Sequence, residues 1–265
     1  MNILVCVKQV PDTTEIKINP ETNTLIREGV PSIVNTFDAY ALEMAARIKD
    51  EQGAKIVVMS MGPEQAKTAL KECLAVGADK AYLVSDRAFG GSDTLATGYI
   101  LSNAVKTVEE QEGPFDIIFC GKQAIDGDTA QVGPQLAEHL GYPQITCISE
   151  ITVQEGKVRT LRETEYRKEI WESQMPVLVT VTKPAFEPRY PTIKTKLAAN
   201  KAEIPTLTIN EVKADPERSG LNGSPTRVKK TFVPLLKKDG VIINEASAED
   251  SSKKLAGLLS DAGLI

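Results

Sequence analysis

The residues best suited to chemistry lie in one continuous segment, Cys120–Gly141, which reads CGKQAIDGDTAQVGPQLAEHLG. It follows an apolar run and passes into a helical pattern. Gly121 and Gly127 allow a close backbone approach or a positive φ, and Asp128 or Thr129 is predicted to cap the helix. Because the free N–H groups at a helix start bind anions, the segment suits a phosphate or pyrophosphate. The alternative is a capped turn that binds nothing, since neither the G-x-G-x-x-G nor the Walker pattern is present.

Three further loops are predicted to border the same cleft. Lys8 follows the first apolar run and is a candidate partner for a phosphate, the alternative being an ordinary surface lysine. The loop 60–63 follows the second apolar run. Asp93 and Thr94 precede a long helical pattern, where they either hydrogen-bond a ligand or only cap the helix. Loops of this kind at equivalent strand ends predict a nucleotide cleft without specifying the nucleotide.

Composition argues against several other classes of site. The chain has a single histidine, His139, and 4 cysteines without a C-x-x-C pair, so we predict neither a metal site nor a catalytic triad, and we expect free thiols. The net charge of -5 argues against nucleic-acid binding. No apolar run is long enough to span a membrane. The first ten residues lack the basic region and cleavage site of a signal peptide, so we expect a cytoplasmic protein.

Alternating strand and helix patterns are expected to position these loops. The predicted strands are Ile3–Val7, Lys55–Ser60, Ala81–Val84 and Asp116–Cys120, with a hairpin near residues 17–18 and 25–26. The predicted helices are Phe37–Glu51 with Asp38 as its cap, one from Pro63 to near Gly77, Ser92–Glu110 and Thr129–Leu140. Regular alternation of this kind predicts an α/β fold with a mostly parallel, doubly wound sheet covered by helices on both faces.

The pattern changes after Gly141. The predicted segments are strands at 148–153, 158–164 and 177–182, a polar stretch at 166–173, an extended arm at 210–240 and a terminal helix at 248–262. The strands are interpreted as an antiparallel addition to the main sheet. We therefore expect a nucleotide-binding domain at 1–182 and a C-terminal arm at 183–265. Because such an arm buries little by itself, it is either partly disordered or wrapped around a partner.

Several of these segments resemble the beta subunit of electron-transfer flavoproteins. The matching motifs are VKQVPDT at 7–13, SMGP at 60–63, GADKAY at 77–82, SDTLAT at 92–97, GKQAIDGDTAQVGP at 121–134 and EPRYPTIK at 187–194. The resemblance covers essentially the whole chain, and the motif at 121–134 is highly specific. It implies an adenine-nucleotide alpha-hydrolase-like fold in an obligate heterodimer, with the C-terminal arm wrapped around the alpha subunit.

The family resemblance implies one of two contents for the cleft. In respiratory members the beta cleft holds AMP, and the only FAD lies mainly on the alpha subunit. In electron-bifurcating members the cleft holds a FAD that takes a hydride from NADH. It sends one electron to ferredoxin or flavodoxin and one toward the alpha-subunit FAD, which serves a flavin dehydrogenase of the acyl-CoA, enoyl-CoA or lactate type. AMP-type members carry bulkier residues where this chain has Gly127 and Ala130, so the resemblance favours FAD, with AMP as the alternative.

The resemblance also carries over to individual residues. The expected nucleotide contacts are Cys6, Val7, Lys8, Asn35, Met61, Asp93, Thr94, Gly121, Gln123, Gly127, Asp128, Thr129, Ala130, Gln131 and Val132. The residues expected to dock the partner dehydrogenase are Pro188, Arg189, Tyr190, Ile193 and Leu197. Ile193 matches an apolar anchor on a basic loop, which suits a transient contact dominated by a few residues. A regulatory nucleotide-binding module of the universal-stress type shares the strand–helix alternation but lacks this loop and the arm.

Overall fold

The computed structural model describes residues 1–12, 31–229 and 240–265. The hairpin predicted near residues 17–18 and 25–26 lies outside these ranges. The chain divides into two compact units, Met1–Lys229 and Lys230–Ile265, and each is described by itself.

The first unit alternates strands and helices through most of its length. Its strands are β1 (Asn2–Cys6), β2 (Gln9–Pro11), β3 (Ser32–Val34), β4 (Lys55–Met61), β5 (Lys80–Val84), β6 (Ile117–Gly121), β7 (Gln144–Gln154), β8 (Lys157–Glu163), β9 (Lys168–Gln174), β10 (Val177–Val181) and β11 (Thr206–Leu207). Its helices are α1 (Thr36–Gln52), α2 (Lys67–Ala75), α3 (Thr94–Glu112), α4 (Val132–Leu140) and α5 (Ile193–Lys201).

The main sheet has 9 strands in the order β11-β5-β4-β1-β6-β10-β7-β8-β9. The strands from β11 to β7 are parallel to one another. The strands β7, β8 and β9 form an antiparallel meander at one edge, and β2 pairs with β3 in a separate antiparallel sheet. The predicted α/β fold, mostly parallel with an antiparallel addition, is confirmed.

The composition of the antiparallel addition differs from the prediction. The strand β10 lies between β6 and β7 and is parallel to both, so the assignment of 177–182 to the addition is wrong. All of β10 is buried, as is typical of a parallel strand covered on both faces. The addition instead uses the polar stretch 166–173, most of which forms β9. Cross-strand pairs such as Lys168–Glu163 explain its polarity, since charged edge strands resist pairing with other chains.

Helices cover both faces of the parallel sheet. The helices α1 and α2 pack on one face, together with Ile3 and Val5 of β1. The helices α3 and α4 pack on the other face, together with Leu4. Alternate residues of β1 therefore enter opposite cores. Truncating a buried side chain of this size costs about 2–5 kcal/mol, so the central strands hold the loops at their ends firmly.

Two predicted helix starts shift in the structure. The N-cap of α1 is Asn35, and Asp38 lies inside the first turn instead of capping the helix. Pro63 is extended and precedes a short 3-10 turn, Glu64–Ala66, so that the α-helical part of α2 begins only at Lys67. Asp38 and Pro63 therefore both lie near a helix start, but Asp38 is not the cap of α1 and Pro63 is not the first residue of α2.

Residues 183–229 belong to the first unit. Val212 and Ala214 are buried in the core on the side of α3, and the Thr107 hydroxyl of α3 donates to the Glu211 carbonyl at 3.1 Å. The segment 210–229, which was predicted to begin the extended arm, therefore packs against α3.

The second unit contains the predicted terminal helix, α6 (Ala248–Asp261). The Ser247 hydroxyl caps it by accepting the Asp250 N–H at 3.1 Å. Leu255 and Leu258 are exposed on this helix, and clustered exposed apolar residues are typical of surfaces that bind a partner. Within the three described ranges, no helix combines the length and the apolar character needed to cross a membrane.

Candidate functional site

The candidate site lies beyond the carboxyl ends of β1 and β6. From β1 the chain winds outward through β4 and β5, with α1 and α2 on one face of the sheet. It then returns through α3, on the opposite face, to place β6 on the other side of β1. The winding direction therefore reverses between β1 and β6. In open parallel sheets, the crevice at such a reversal is where ligands bind.

Asp38, in the first turn of α1, joins the loops that follow these two strands. Its Oδ2 accepts the Lys8 N–H at 2.7 Å, and its Oδ1 accepts the Gly121 N–H at 3.0 Å. Burial raises the pKa of Asp38 to about 7, while hydrogen bonds from Lys8, Asn35 and Gly121 act in the opposite direction. A Cβ on Gly121 would lie 2.3 Å from Oδ1, so only glycine fits against this carboxyl group.

Sequence reasoning missed this role of Asp38. The carboxyl group and Gly121 are 83 residues apart in the chain, and the local pattern indicated only a helix cap. The one available signal was the position of an acidic residue in the first turn of a helix that follows the first parallel strand.

Asn35 is a second buried link between the two loops. Its Nδ2 donates to the Gln123 carbonyl at 2.9 Å, and its Oδ1 accepts the Ile125 N–H at 3.0 Å. Its own N–H donates to the Lys8 carbonyl at 2.8 Å. Asn35 was predicted as a nucleotide contact. The structure assigns its side chain to positioning the loop after β6, and a direct contact with the ligand stays a prediction.

The loop after β6 has an unusual backbone. Asp128 and Ala130 have positive φ values of 52° and 53°, whereas Gly127, for which a positive φ was considered, does not. A left-handed conformation costs a residue with a Cβ about 1–2 kcal/mol. The Ala124 carbonyl holds the turn by accepting the Asp128 N–H at 2.9 Å. Strain of this kind persists where the surroundings impose it, and it clusters at ligand sites.

The helix α4 begins without a side-chain cap. Its first residue is Val132, and Gln131 at the N-cap position makes no side-chain hydrogen bond to the helix. The prediction that Asp128 or Thr129 caps it is wrong, because both precede the helix start and Gln123 Nε2 donates to the Asp128 carboxylate at 2.6 Å.

The backbone N–H groups of residues 129–133 have no hydrogen-bond acceptor within the part of the chain that the structure describes. The run follows Asp128, which has a left-handed backbone conformation. Within the run, Ala130 is also left-handed, and Gln131 after it is right-handed. Successive N–H groups in such an alternation form a concave anion site, and the helix start adds its dipole. The arrangement can therefore hold a phosphate or pyrophosphate.

Two side-chain contacts close the loop onto its neighbours. Lys8 Nζ donates to the two carboxylate oxygens of Asp126 at 2.7 and 2.8 Å. Thr94, the first residue of α3, donates from its hydroxyl to Gln131 Oε1 at 3.1 Å. Lys8 is thus paired with a carboxylate of the same chain, and its predicted contact with a phosphate stays a prediction.

Asp93 is occupied by contacts within the chain. Its carboxylate caps α3 through the Ala96 N–H at 3.1 Å and accepts the Thr226 N–H at 3.0 Å. Burial alone would raise the pKa of Asp93, but these hydrogen bonds lower it below its ordinary value. Its own N–H donates to the Ser224 hydroxyl at 2.8 Å. Of the two roles considered for Asp93, the structure shows the helix cap, and a hydrogen bond to a ligand stays a prediction.

The remaining predicted contacts lie at the ends of central strands. Cys6 ends β1 in register with Cys120 of β6, and both thiols are free. The Val7 side chain is buried in the core, so only its backbone can face a ligand. Met61 ends β4 and is half-buried. All the predicted nucleotide contacts therefore lie near the carboxyl ends of the parallel strands. Among them, Lys8, Asn35 and Thr94 form hydrogen bonds with the loop that follows β6.

The predicted docking residues lie on a separate feature, formed by α5 and the turn before it. The exposed fractions of Tyr190, Ile193 and Leu197 are 93%, 83% and 58%. Ile193 and Leu197 are four residues apart on α5 and so share one face of the helix. Arg189 differs, since its guanidinium turns inward to Glu43 of α1. The predicted docking loop is thus partly helical, and three of its five named residues are exposed, while their contact with a dehydrogenase stays a prediction.

Comparisons with known proteins identify the family of this chain. A family model described as the electron transfer flavoprotein domain matches residues 22–212. The electron transfer flavoprotein subunit beta of Megasphaera elsdenii is 54% identical over 246 residues, which are 92% of this chain and 91% of that protein. The caffeyl-CoA reductase-Etf complex subunit CarD of Acetobacterium woodii is 45% identical over 266 residues, covering 100% of both chains.

Protein FixA of Azorhizobium caulinodans is 42% identical over 238 residues, which are 88% of this chain and 85% of that protein. The family match and these relatives cover most of the chain, and the resemblance predicted from the sequence motifs is confirmed. The chain therefore belongs to the beta-subunit group of the electron transfer flavoprotein family.

Proposed function

We propose that this beta subunit holds a FAD in the crevice between β1 and β6, and that it takes part in electron bifurcation. In this function a hydride comes from NADH, one electron goes to ferredoxin or flavodoxin, and one goes to a FAD on the alpha subunit. The observation that supports a nucleotide is the run of backbone N–H groups at 129–133, which have no acceptor among the described residues and suit phosphate oxygens, and the open space beside Gly127 favours FAD.

The residues around this run fit a ligand longer than a mononucleotide. A Cβ on Gly127 would meet no atom within 4 Å, and Ala130 is exposed with only a methyl side chain. The backbone donors can thus be approached without displacing side chains. Lys8, held by Asp126 at 2.7 Å, supplies a cation that can turn toward a phosphate.

The chain's own residues bind and orient. FAD, when bound, supplies hydride acceptance and one-electron transfer. The N–H groups of residues 129–133 would hold the phosphate oxygens, and Asn35 and Asp38 keep the loop fixed so that these donors need not rearrange. We assign no catalytic acid or base and no metal ligand among these side chains.

The second candidate is AMP with a structural role. The same N–H groups would hold a single phosphate, so the anion site supports either nucleotide. The open space beside Gly127 favours FAD, because a mononucleotide would leave it unfilled.

We also propose an obligate alpha-subunit partner, a FAD-dependent dehydrogenase and a cytoplasmic location. The exposed leucines of α6 offer the alpha subunit an apolar surface. One relative is named as a subunit of a caffeyl-CoA reductase-Etf complex, which supports a dehydrogenase acting on CoA thioesters. The acyl-CoA, enoyl-CoA and lactate types all remain proposals.

The cofactor proposal is tested by releasing the nucleotides from the purified heterodimer with heat and identifying them by chromatography. We expect two FAD per heterodimer. One FAD together with AMP would overturn the proposal in favour of the second candidate. An anaerobic NADH titration then follows flavin bleaching. FAD in both subunits without any bleaching by NADH would keep the cofactor but reject the hydride donor.

A further inference from the structure

The docking residues lie in the segment 186–200, called the docking segment below, and a buried carboxylate joins this segment to α1. Glu43 of α1 is 5% exposed. Its Oε2 accepts the Arg189 backbone N–H at 3.1 Å and the Arg189 Nε at 2.7 Å, and its Oε1 accepts Nη2 at 3.2 Å. The same Nη2 also donates to Asp50 at 2.8 Å. A guanidinium held by this forked geometry has a fixed direction, and here that direction is inward.

Charge reinforces this link. Burial would raise the pKa of Glu43, but hydrogen bonds from Arg189 and Arg47 lower it below its ordinary value. Hydrogen bonding to Glu43 raises the pKa of Arg189. Arg47 Nε also donates to Glu43 at 3.0 Å, and its guanidinium lies 3.9 Å from the ring centroid of Phe186. Two successive parts of the segment, Phe186 and Arg189, are therefore tied to one turn of α1.

The far end of the segment is held by α2. Lys71 Nζ donates to the Asn200 carbonyl at 3.0 Å, and Ala199 is buried. Between the two ends lies a cavity of about 530 Å³, lined by Leu42 of α1, Cys73 of α2 and Pro191. Because the middle of the segment spans this cavity, its position depends on the attachments at its ends.

We propose that Arg189 is a positioning residue, which holds Tyr190, Ile193 and Leu197 outward toward the partner dehydrogenase and does not itself touch that partner. The inference rests on the proposed docking role of this segment. It differs from the expectation that Arg189 docks directly, because the backbone N–H, Nε and Nη2 of Arg189 are already engaged by Glu43 and Asp50.

A double-mutant cycle in the heterodimer separates positioning from direct contact. The variants are Arg189→Gln, Glu43→Gln and the double variant, with Asp50→Asn as a milder change at the exposed half of the same link. The readout is the apparent KM for a FAD-dependent acyl-CoA dehydrogenase, with the flavoprotein reduced by dithionite. Chemical reduction makes the result independent of NADH, so failure of the proposed hydride transfer would not be mistaken for failure of docking.

If Arg189 positions the segment, Glu43→Gln should reproduce the loss. We expect KM to rise about tenfold in both single variants and by no more in the double variant, with kcat and flavin content unchanged. A normal KM in Glu43→Gln beside a raised KM in Arg189→Gln would overturn the proposal, because Arg189 would then act by touching the partner. Normal values in both variants would overturn it as well.

Limited trypsin digestion supplies a test that needs no dehydrogenase. Lys194 and Lys196 lie on α5, and release of the segment should expose the bonds after them. We expect cleavage there to be about tenfold faster in Arg189→Gln and Glu43→Gln, and intermediate in Arg189→Lys, which keeps the charge but not the fork. Unchanged cleavage in all variants would overturn the proposal, and this readout remains decisive if Glu43→Gln lowers the yield of folded protein.

Discussion

The cleft loop and the docking segment present their functional groups in opposite ways. The loop after β6 offers backbone N–H groups of residues 129–133, and its side chains serve mainly to hold it in place. The docking segment offers exposed side chains, such as Ile193 and Tyr190, and its own backbone is tied down by Glu43. On the functions proposed above, the cleft would recognise charge with the main chain, and the docking segment would recognise shape with side chains.

This difference predicts how substitutions act. A change in the cleft alters cofactor retention when it disturbs the backbone or adds bulk or charge beside it. A change on the docking surface alters the partner encounter and leaves the cofactor in place. Cofactor retention and the encounter with the partner should therefore respond to different substitutions.

The largest expected effect comes from Asp38→Asn and depends on pH. The folded-state pKa of Asp38 is about 7, raised from 3.8, so the native state takes up a proton that the unfolded chain has lost. Stability from this group is complete below pH about 4 and is lost as pH rises to about 7. Between pH 5 and pH 8 the loss is about 3 kcal/mol. The asparagine variant cannot titrate here.

Denaturant unfolding of the heterodimer at several pH values measures this effect. Wild type should lose about 3 kcal/mol of stability between pH 5 and pH 8 while the asparagine variant should not, so the difference between the two proteins should shift by that amount in favour of the variant. Parallel pH profiles of the two proteins would contradict the assignment of the titrating group to Asp38.

The next effect distinguishes two glycines of the same loop. Gly121→Ala places a methyl group 2.3 Å from the Asp38 carboxylate. The Asp38 hydrogen bonds that join the loops after β1 and β6 must therefore break or lengthen, at a cost of about 1–3 kcal/mol. Gly127→Ala meets no atom within 4 Å and serves as the matched control. We expect a larger loss of flavin in Gly121→Ala than in Gly127→Ala, whose added methyl group can meet only the ligand, measured by flavin content after gel filtration. Equal flavin content in the two variants would show that the contact between Asp38 and Gly121 does not support cofactor binding.

Gly127→Asp tests charge at the same open position. An aspartate there adds a negative charge beside an anionic ligand, and two such charges about 4 Å apart repel by about 4 kcal/mol at an effective dielectric of about 20. Even a third of this weakens FAD binding by about tenfold. The beta flavin and NADH-dependent bleaching should be lost together, with the alpha flavin retained. Full flavin occupancy and unchanged bleaching would place the beta flavin away from this loop.

The smallest effect is expected on the docking side. Ile193→Ala removes most of an exposed apolar side chain and should raise the KM for an acyl-CoA dehydrogenase by about fivefold, or about 1 kcal/mol. Flavin content should not change. Ile170→Ala, at an exposed apolar residue of β9 outside the arm, is the control and should behave as wild type. Flavin loss in the Ile193 variant would show that docking and cofactor binding are not separate.

Features with a local signal were predictable from the sequence. The buried strands and the helices appear as apolar runs and helical spacing, and the motif at 121–134 identified both the loop and the family. The start of α4 was not predictable in the same way. Asp128 is a good helix cap by type, but Gln123 takes its carboxylate, and the chain then needs two left-handed residues before the helix begins.

Features set by distant pairing could not be predicted. Asp38 gained its role because α1 brings it against Gly121 of β6, a contact without a local pattern. The place of β10 was likewise hidden, since an apolar run of five residues fits a buried strand at any position in a sheet. The segment that precedes β10 in the chain, β9, appeared only as a polar stretch, because the sequence does not show that its charges pair with β8.

The position of β10 also bears on biosynthesis. In the sheet, β10 separates β6 from β7, yet along the chain it is made after β7, β8 and β9. On the ribosome, all three strands of the meander therefore emerge before β10, the strand that attaches them to the rest of the sheet, although only two residues separate β9 from β10. Strand pairing that must await a later segment is slow and exposed to aggregation. The charged side chains that pair β9 with β8 disfavour the joining of this newly made edge to another chain.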